Sequence, residues 1–118
     1  MVSVSATDFK NIIQDSDISD ENTERILDLA IDCLNLYGAE LANMGGTAGS
    51  KTVSLESKEK GAVFIVARAI YYSFFKGVET STIGGLTVSS PDLMSNQAVL
   101  ASVKEASRRL TELDVDYG

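Results

Sequence analysis

A chain of 118 residues, 44% hydrophobic and 23% charged, suits one folded domain with one core and is wrong for a disordered protein. Its net charge of −7 opposes ordinary binding to phosphate backbones. With no histidine and a single cysteine, Cys33, it excludes a catalytic triad, a histidine- or cysteine-based zinc site and an internal disulfide.

The charge is uneven. Residues 1–44 carry nine acids and two bases, residues 45–78 two acids and five bases, and residues 79–118 six acids and three bases. The basic middle is too sparse to make a nucleic-acid site in so acidic a chain. The first residues show no basic-then-apolar leader pattern. No sequence-specific nucleic-acid contact, membrane span, metal or cofactor is expected.

Taken in order, residues 5–14 predict a short helix, capped by Ser5 or Thr7, with Phe9, Ile12 and Ile13 on one face. The acidic turn at residues 15–19 lacks the glycine and spacing of a calcium loop and reads as solvated. Residues 20–44 predict a long helix that starts at Ser19 or Asp20, with Glu21 and Glu24 suiting its dipole. Its apolar residues, from Ile26 through Leu36 and Tyr37 to Leu41 and Met44, cover roughly 220° of the wheel, against the ~100° an ordinary surface helix needs. The excess predicts contact on two sides, the core and a second subunit. Cys33 lies on the apolar face as a small buried hydrophobe. Glu40 falls inside the arc, either as an edge carboxylate reaching water or as an interface contact.

The glycine-rich segment 45–51 has Gly45, Lys51 and Thr52 at phosphate-loop spacing, but Ser50 replaces the glycine before the lysine. It also follows a helix rather than a strand, so it reads as a linker.

The chain is organised around residues 62–75, AVFIVARAIYYSFF, inside a helix that starts at Ser54 or Ser57 and stops at Lys76-Gly77. It is apolar almost all round, the pattern of a buried helix. As a helix it spans only ~21 Å, and Arg68 breaks it, so it does not suit a membrane. Phe64, Tyr71, Tyr72 and Phe75 share the Arg68 face by spacing. Arg68 is either a snorkelling residue at the core rim or an interface anchor, with Glu40 a candidate ion partner. The candidate subunit interface is Arg68, Tyr71, Tyr72, Phe75, Glu40 and Leu36.

Residues 78–90 turn β-branched and hydroxyl-rich around Gly84-Gly85. This predicts a hairpin or an extended loop, with strands at 80–83 and 86–89. Ser90-Pro91-Asp92 predicts a helix start, and the helix runs to about Leu113 with Val99, Val103, Ala106, Leu110 and Leu113 as its core stripe. Residues 114–118 read as a tail, with Val115 and Tyr117 between acids. Ile83, Gly84, Gly85, Leu86, Val115 and Tyr117 are candidate partner contacts. The expected fold is therefore mainly α: a bundle of three main helices plus a short N-terminal one, as a single domain over residues 1–113.

This order of parts resembles the head–tail connector (adaptor) proteins of tailed viruses. It comprises a short helix and the acidic helix DENTERILDLAIDCLNLY, then a buried helix with Ala67-Arg68-Ala69-Ile70-Tyr71-Tyr72. A Ser/Thr/Gly segment with Ile83-Gly84-Gly85 and a Ser90-Pro91-Asp92 helix complete it. The likeness covers residues 5–113. It implies a non-enzymatic virion protein made in the host cytoplasm. Its copies would form a dodecameric homo-oligomeric ring between the portal and a tail or tail-completion protein, with DNA passing through the lumen unread. Without the resemblance, the same residues suit a cytosolic helical module that regulates a partner.

Overall fold

The computed structural model describes residues 2–14, 18–47, 50–75 and 93–115. The fold is mainly helical, with one two-stranded antiparallel sheet among the described residues. Strand β1 (Val2–Ser5) leads into helix α1 (Ala6–Ile13), followed by α2 (Asp20–Leu36), β2 (Thr52–Leu55) and α3 (Ser57–Ile70). A π-helical turn, Tyr71–Phe75, continues α3, and α4 (Gln97–Val115) comes last. The expected hairpin at residues 78–90, with Ile83, Gly84, Gly85 and Leu86, lies outside the described residues, as does Tyr117.

The core is built on α3, as its apolar wheel demands. Ala62, Val63, Phe64, Val66, Ala67 and Ile70 are all buried, and α3 packs mainly on α4 and α2. From α4 come Val99, Val103 and Ala106, each fully buried, with Leu110 at the margin. From α1 come Phe9 and Ile13, whereas Ile12 is 47% exposed. Phe9 meets Phe64 in a tilted ring contact at 5.8 Å, joining the first helix to the central one.

The broad apolar arc of α2 is used within one chain. Ile26, Leu27, Leu29, Ala30, Ile31, Cys33 and Leu34 are buried, because α1, α3 and α4 all pack on this helix. The second side of the arc is thus covered by the chain's own helices. Only Leu36 and Tyr37, at its end, stay bare.

The end of α2 differs from expectation. Helix α2 stops at Leu36, eight residues short of Met44. Gly38 takes φ +115°, its N–H donates to Asn35 O, and the Ala39 N–H reaches back to Leu34 O at 3.0 Å. This is a Schellman cap, which a glycine closes without the strain of a left-handed side-chain residue. The Asn35 amide then grips the Leu41 backbone from both sides, accepting its N–H at 2.8 Å and donating to its carbonyl at 3.2 Å. Leu41 and Met44 are buried, but from an irregular segment rather than a helix.

Helix α3 starts at Ser57, one of its two expected starts, with Glu56 as N-cap, and the Glu56 N–H donates to the Glu59 carboxylate at 2.8 Å. Ser54 belongs to β2. The expected helix start at Ser90-Pro91-Asp92 lies outside the described residues; after a helical turn at Leu93 and Met94 the helical path is interrupted at Ser95 and Asn96, and α4 runs from Gln97. Asn96 caps it, its Oδ1 accepting from the N–H groups of Ala98 and Val99.

Residues 2–5 and 52–55 form the sheet in the register Val2↔Leu55, Ser3↔Ser54, Val4↔Val53 and Ser5↔Thr52. Val4, Val53 and Leu55 point inward and are buried, while Ser3, Thr52 and Ser54 are exposed. Sequence reading places no strand in either segment.

Candidate interaction surface

The residues that pattern places around Arg68 separate in three dimensions. Arg68 is exposed, and its guanidinium carbon lies 5.6 Å from the centre of the Tyr72 ring. The two are i,i+4 neighbours across the junction of α3 and the π-turn, close enough for a cation–π contact. Tyr72 is 46% exposed, so the pair faces solvent. Tyr71 instead turns into the core at 4% exposure and meets Tyr72 edge-on at 5.1 Å. Phe64 is buried against Phe9, with Lys60 over its ring at 5.6 Å. Phe75 closes the π-turn, and Val115 ends α4 as a helical rather than a tail residue.

Glu40 is exposed and does not reach Arg68 within one chain. It lines an open cleft of about 370 Å³ with Gly38, Ala39, Leu41, Lys58, Glu59 and Leu110. Lys58 and Glu59 lie in the first turn of α3, so Arg68 is roughly 14 Å further along that helix. Leu36, 61% exposed, and Tyr37, 43% exposed, stand beside this cleft at the end of α2. The candidate residues therefore form two separate patches, one at each end of α3.

A third polar feature ties the linker down. Glu24, on α2 and almost fully buried, accepts the Lys51 backbone N–H at 2.8 Å. The Lys51 ammonium pairs with Asp28 one turn on, at 2.7 Å. That hydrogen bond raises the Lys51 pKa, and Coulomb attraction from Asp28 and Glu24 adds to it. Asp32, the next carboxylate along the same stripe, is also raised, first by burial and then by repulsion from Asp28. The spacing Glu24, Asp28, Asp32 is visible in the sequence; that Lys51 answers it is not. So Lys51, which resembles a phosphate-loop lysine by spacing alone, is occupied by carboxylates.

Among the described residues no cluster of three or more acids, cysteines or histidines is placed to hold a metal ion. No helix among them is long and apolar enough to cross a membrane. Cys33 is buried on the inner face of α2. Compared with known proteins, the chain matches no family model, no curated protein and no solved structure.

Proposed function

We propose that this protein is a structural virion component, a head–tail connector that docks beneath the portal of a tailed virus and joins capsid to tail. The order of its elements over residues 5–113 resembles that family. The observation that carries an assembly role is the exposed Arg68–Tyr72 contact. A solvent-facing arginine stacked on a half-exposed tyrosine contributes little to a monomer's core, and these are the residue types enriched where subunits meet. Leu36 and Tyr37 add a second exposed apolar patch at the other end of α3. Two separated patches suit a head-to-tail contact between copies, the kind that closes into a ring. The ring's lumen passes DNA without holding it, which suits a chain of net charge −7. The role is non-enzymatic, and its partners are further copies, the portal and a tail-completion protein.

The test is incubation with the cognate portal, read by electron microscopy. The expected result is a second ring seated on the portal ring. Portals that stay bare at saturating protein overturn the reading. In that case the complete core of the single chain favours the other role, a helical module that regulates a partner.

A further inference from the structure

We infer that the outer edge of β2 pairs with β2 of a second copy of this chain, making a four-stranded sheet across a two-fold axis.

The backbone geometry selects this edge. Ser5, at the end of the ribbon, donates its N–H to the Asp8 carboxylate at 3.0 Å, so that N–H points away from β2. Facing pairs in an antiparallel ribbon alternate between hydrogen-bonded and non-hydrogen-bonded. Ser5↔Thr52 is thereby a non-bonded pair, and so is Ser3↔Ser54; Val4↔Val53 and Val2↔Leu55 carry the ladder. The N–H and C=O groups of Thr52 and Ser54 therefore face outward. Thr52 and Ser54 are both exposed, and among the described residues no third strand lies beside β2. The other edge is poorer, because Ser5 has spent its N–H and β1 packs against α1 and α3.

Strand edges are usually protected by charge, proline or a bulge. Residues 52–55, Thr-Val-Ser-Leu, have no charge and no proline, and their register with β1 runs without a bulge. What such an edge recognises is another extended backbone.

A second copy fits it well. Antiparallel pairing centred on Val53 sets Thr52 of each copy against Ser54 of the other, and each such pair exchanges two hydrogen bonds. This register also keeps Val53 and Leu55 of both copies on one face of the sheet; a slip of one residue would turn one ribbon over. Charge points the same way. A two-fold contact brings residues near the axis close to their own copies, and this chain carries a net charge of −7. The strip 52–55 is neutral, and in this register the nearest charge, Lys51, lies beside Leu55 of the second copy.

The inference does not depend on the connector reading and uses a surface apart from Arg68 and Tyr72. The experiment is sedimentation equilibrium over a wide concentration range, with hydrogen exchange read at the Thr52 and Ser54 amides. For the wild type the mass should climb towards twice the monomer's, and both amides should slow as concentration rises. Ser54→Pro removes an outward donor and no ladder bond; Ser54→Lys adds an edge charge. Both should lose the association, while Ser3→Pro, the same change on the other edge, should keep it. Melting curves verify that each variant is folded. A wild type that stays monomeric overturns the inference. So does association that survives both Ser54 variants, or that is lost with Arg68→Ala instead. Slowing of the two amides only on adding a different protein would make a foreign strand the occupant and overturn the two-fold pairing as well.

Discussion

Lys51 and Asp28, 23 residues apart in sequence, meet through a 2.7 Å ion pair that fastens the glycine-rich linker to the middle of α2. The Lys51 backbone N–H is held at the same place by Glu24, which is buried and has no room to move to water. Removing that acceptor strands a donor. Glu24→Ala is therefore expected to cost about 1–3 kcal/mol, measured by urea unfolding. Lys51→Met loses only a partly exposed ion pair and should cost about 1 kcal/mol or less.

The same cluster sets a pH response. The pKa of Lys51 is raised in the folded chain, mainly by its hydrogen bond to Asp28. A raised cation stabilises the fold fully below its unfolded pKa, and that gain is lost as pH climbs through the folded value. The melting temperature should therefore fall in the alkaline range above ~10.4, and Lys51→Met should flatten that limb. If the two proteins melt in parallel there, the ion pair contributes nothing.

Asp32 runs the other way. Burial and Asp28 both disfavour its carboxylate, so at neutral pH the charge works against folding. Asp32→Asn is expected to raise the melting temperature slightly at pH 7. The gain should shrink in acid, where the wild-type carboxyl is protonated. A lower melting temperature at pH 7 would mean that Asp32 has a favourable partner.

Gly38 closes α2 with φ +115°, and a β-carbon added there meets nothing within 4 Å. The cost of Gly38→Ala is therefore backbone strain alone, about 1–2 kcal/mol. In the core, Ile70→Ala should cost about 2–5 kcal/mol by opening a cavity in a fully buried site. Both are read by chemical denaturation.

Arg68→Ala and Tyr72→Ala break an exposed contact, so each should change stability by about 1 kcal/mol or less. Assembly on the portal should fall much further. Equal loss of folding and assembly would return Arg68 to a rim position with no interface role.

The helices were legible because their signals are dense. The run AVFIVARAI is apolar on every side, and α4 repeats its apolar residues at 99, 103 and 106, so both cores could be named from spacing. The end of α2 was also written, in Gly38, but the hydrophobic residues beyond it continue the helical period and mask the stop. Leu41 and Met44 are buried for tertiary reasons, held in place by Asn35. The sheet was not legible. VSVS and TVSL are four residues each, and neither is stable without the other, whose paired residues lie 47 to 53 positions away. Spacing puts four aromatics around Arg68; of Phe64, Tyr71 and Tyr72, only Tyr72 stays exposed beside it. A wheel gives a direction, not which of its neighbours the core will claim.

The register Val2↔Leu55 has a bearing on how the chain folds in time. The ribbon is a clasp whose halves enclose α1 and α2, and β1, made first, cannot close until residue 55 has left the ribosome. Closing a loop of this length costs about (3/2)RT ln n in entropy before any contact repays it. Helix formation is local and comes sooner, so the clasp should shut after the transition state. Substituting Val4 or Val53 should therefore speed unfolding and leave the folding rate nearly unchanged, as a chevron plot would show.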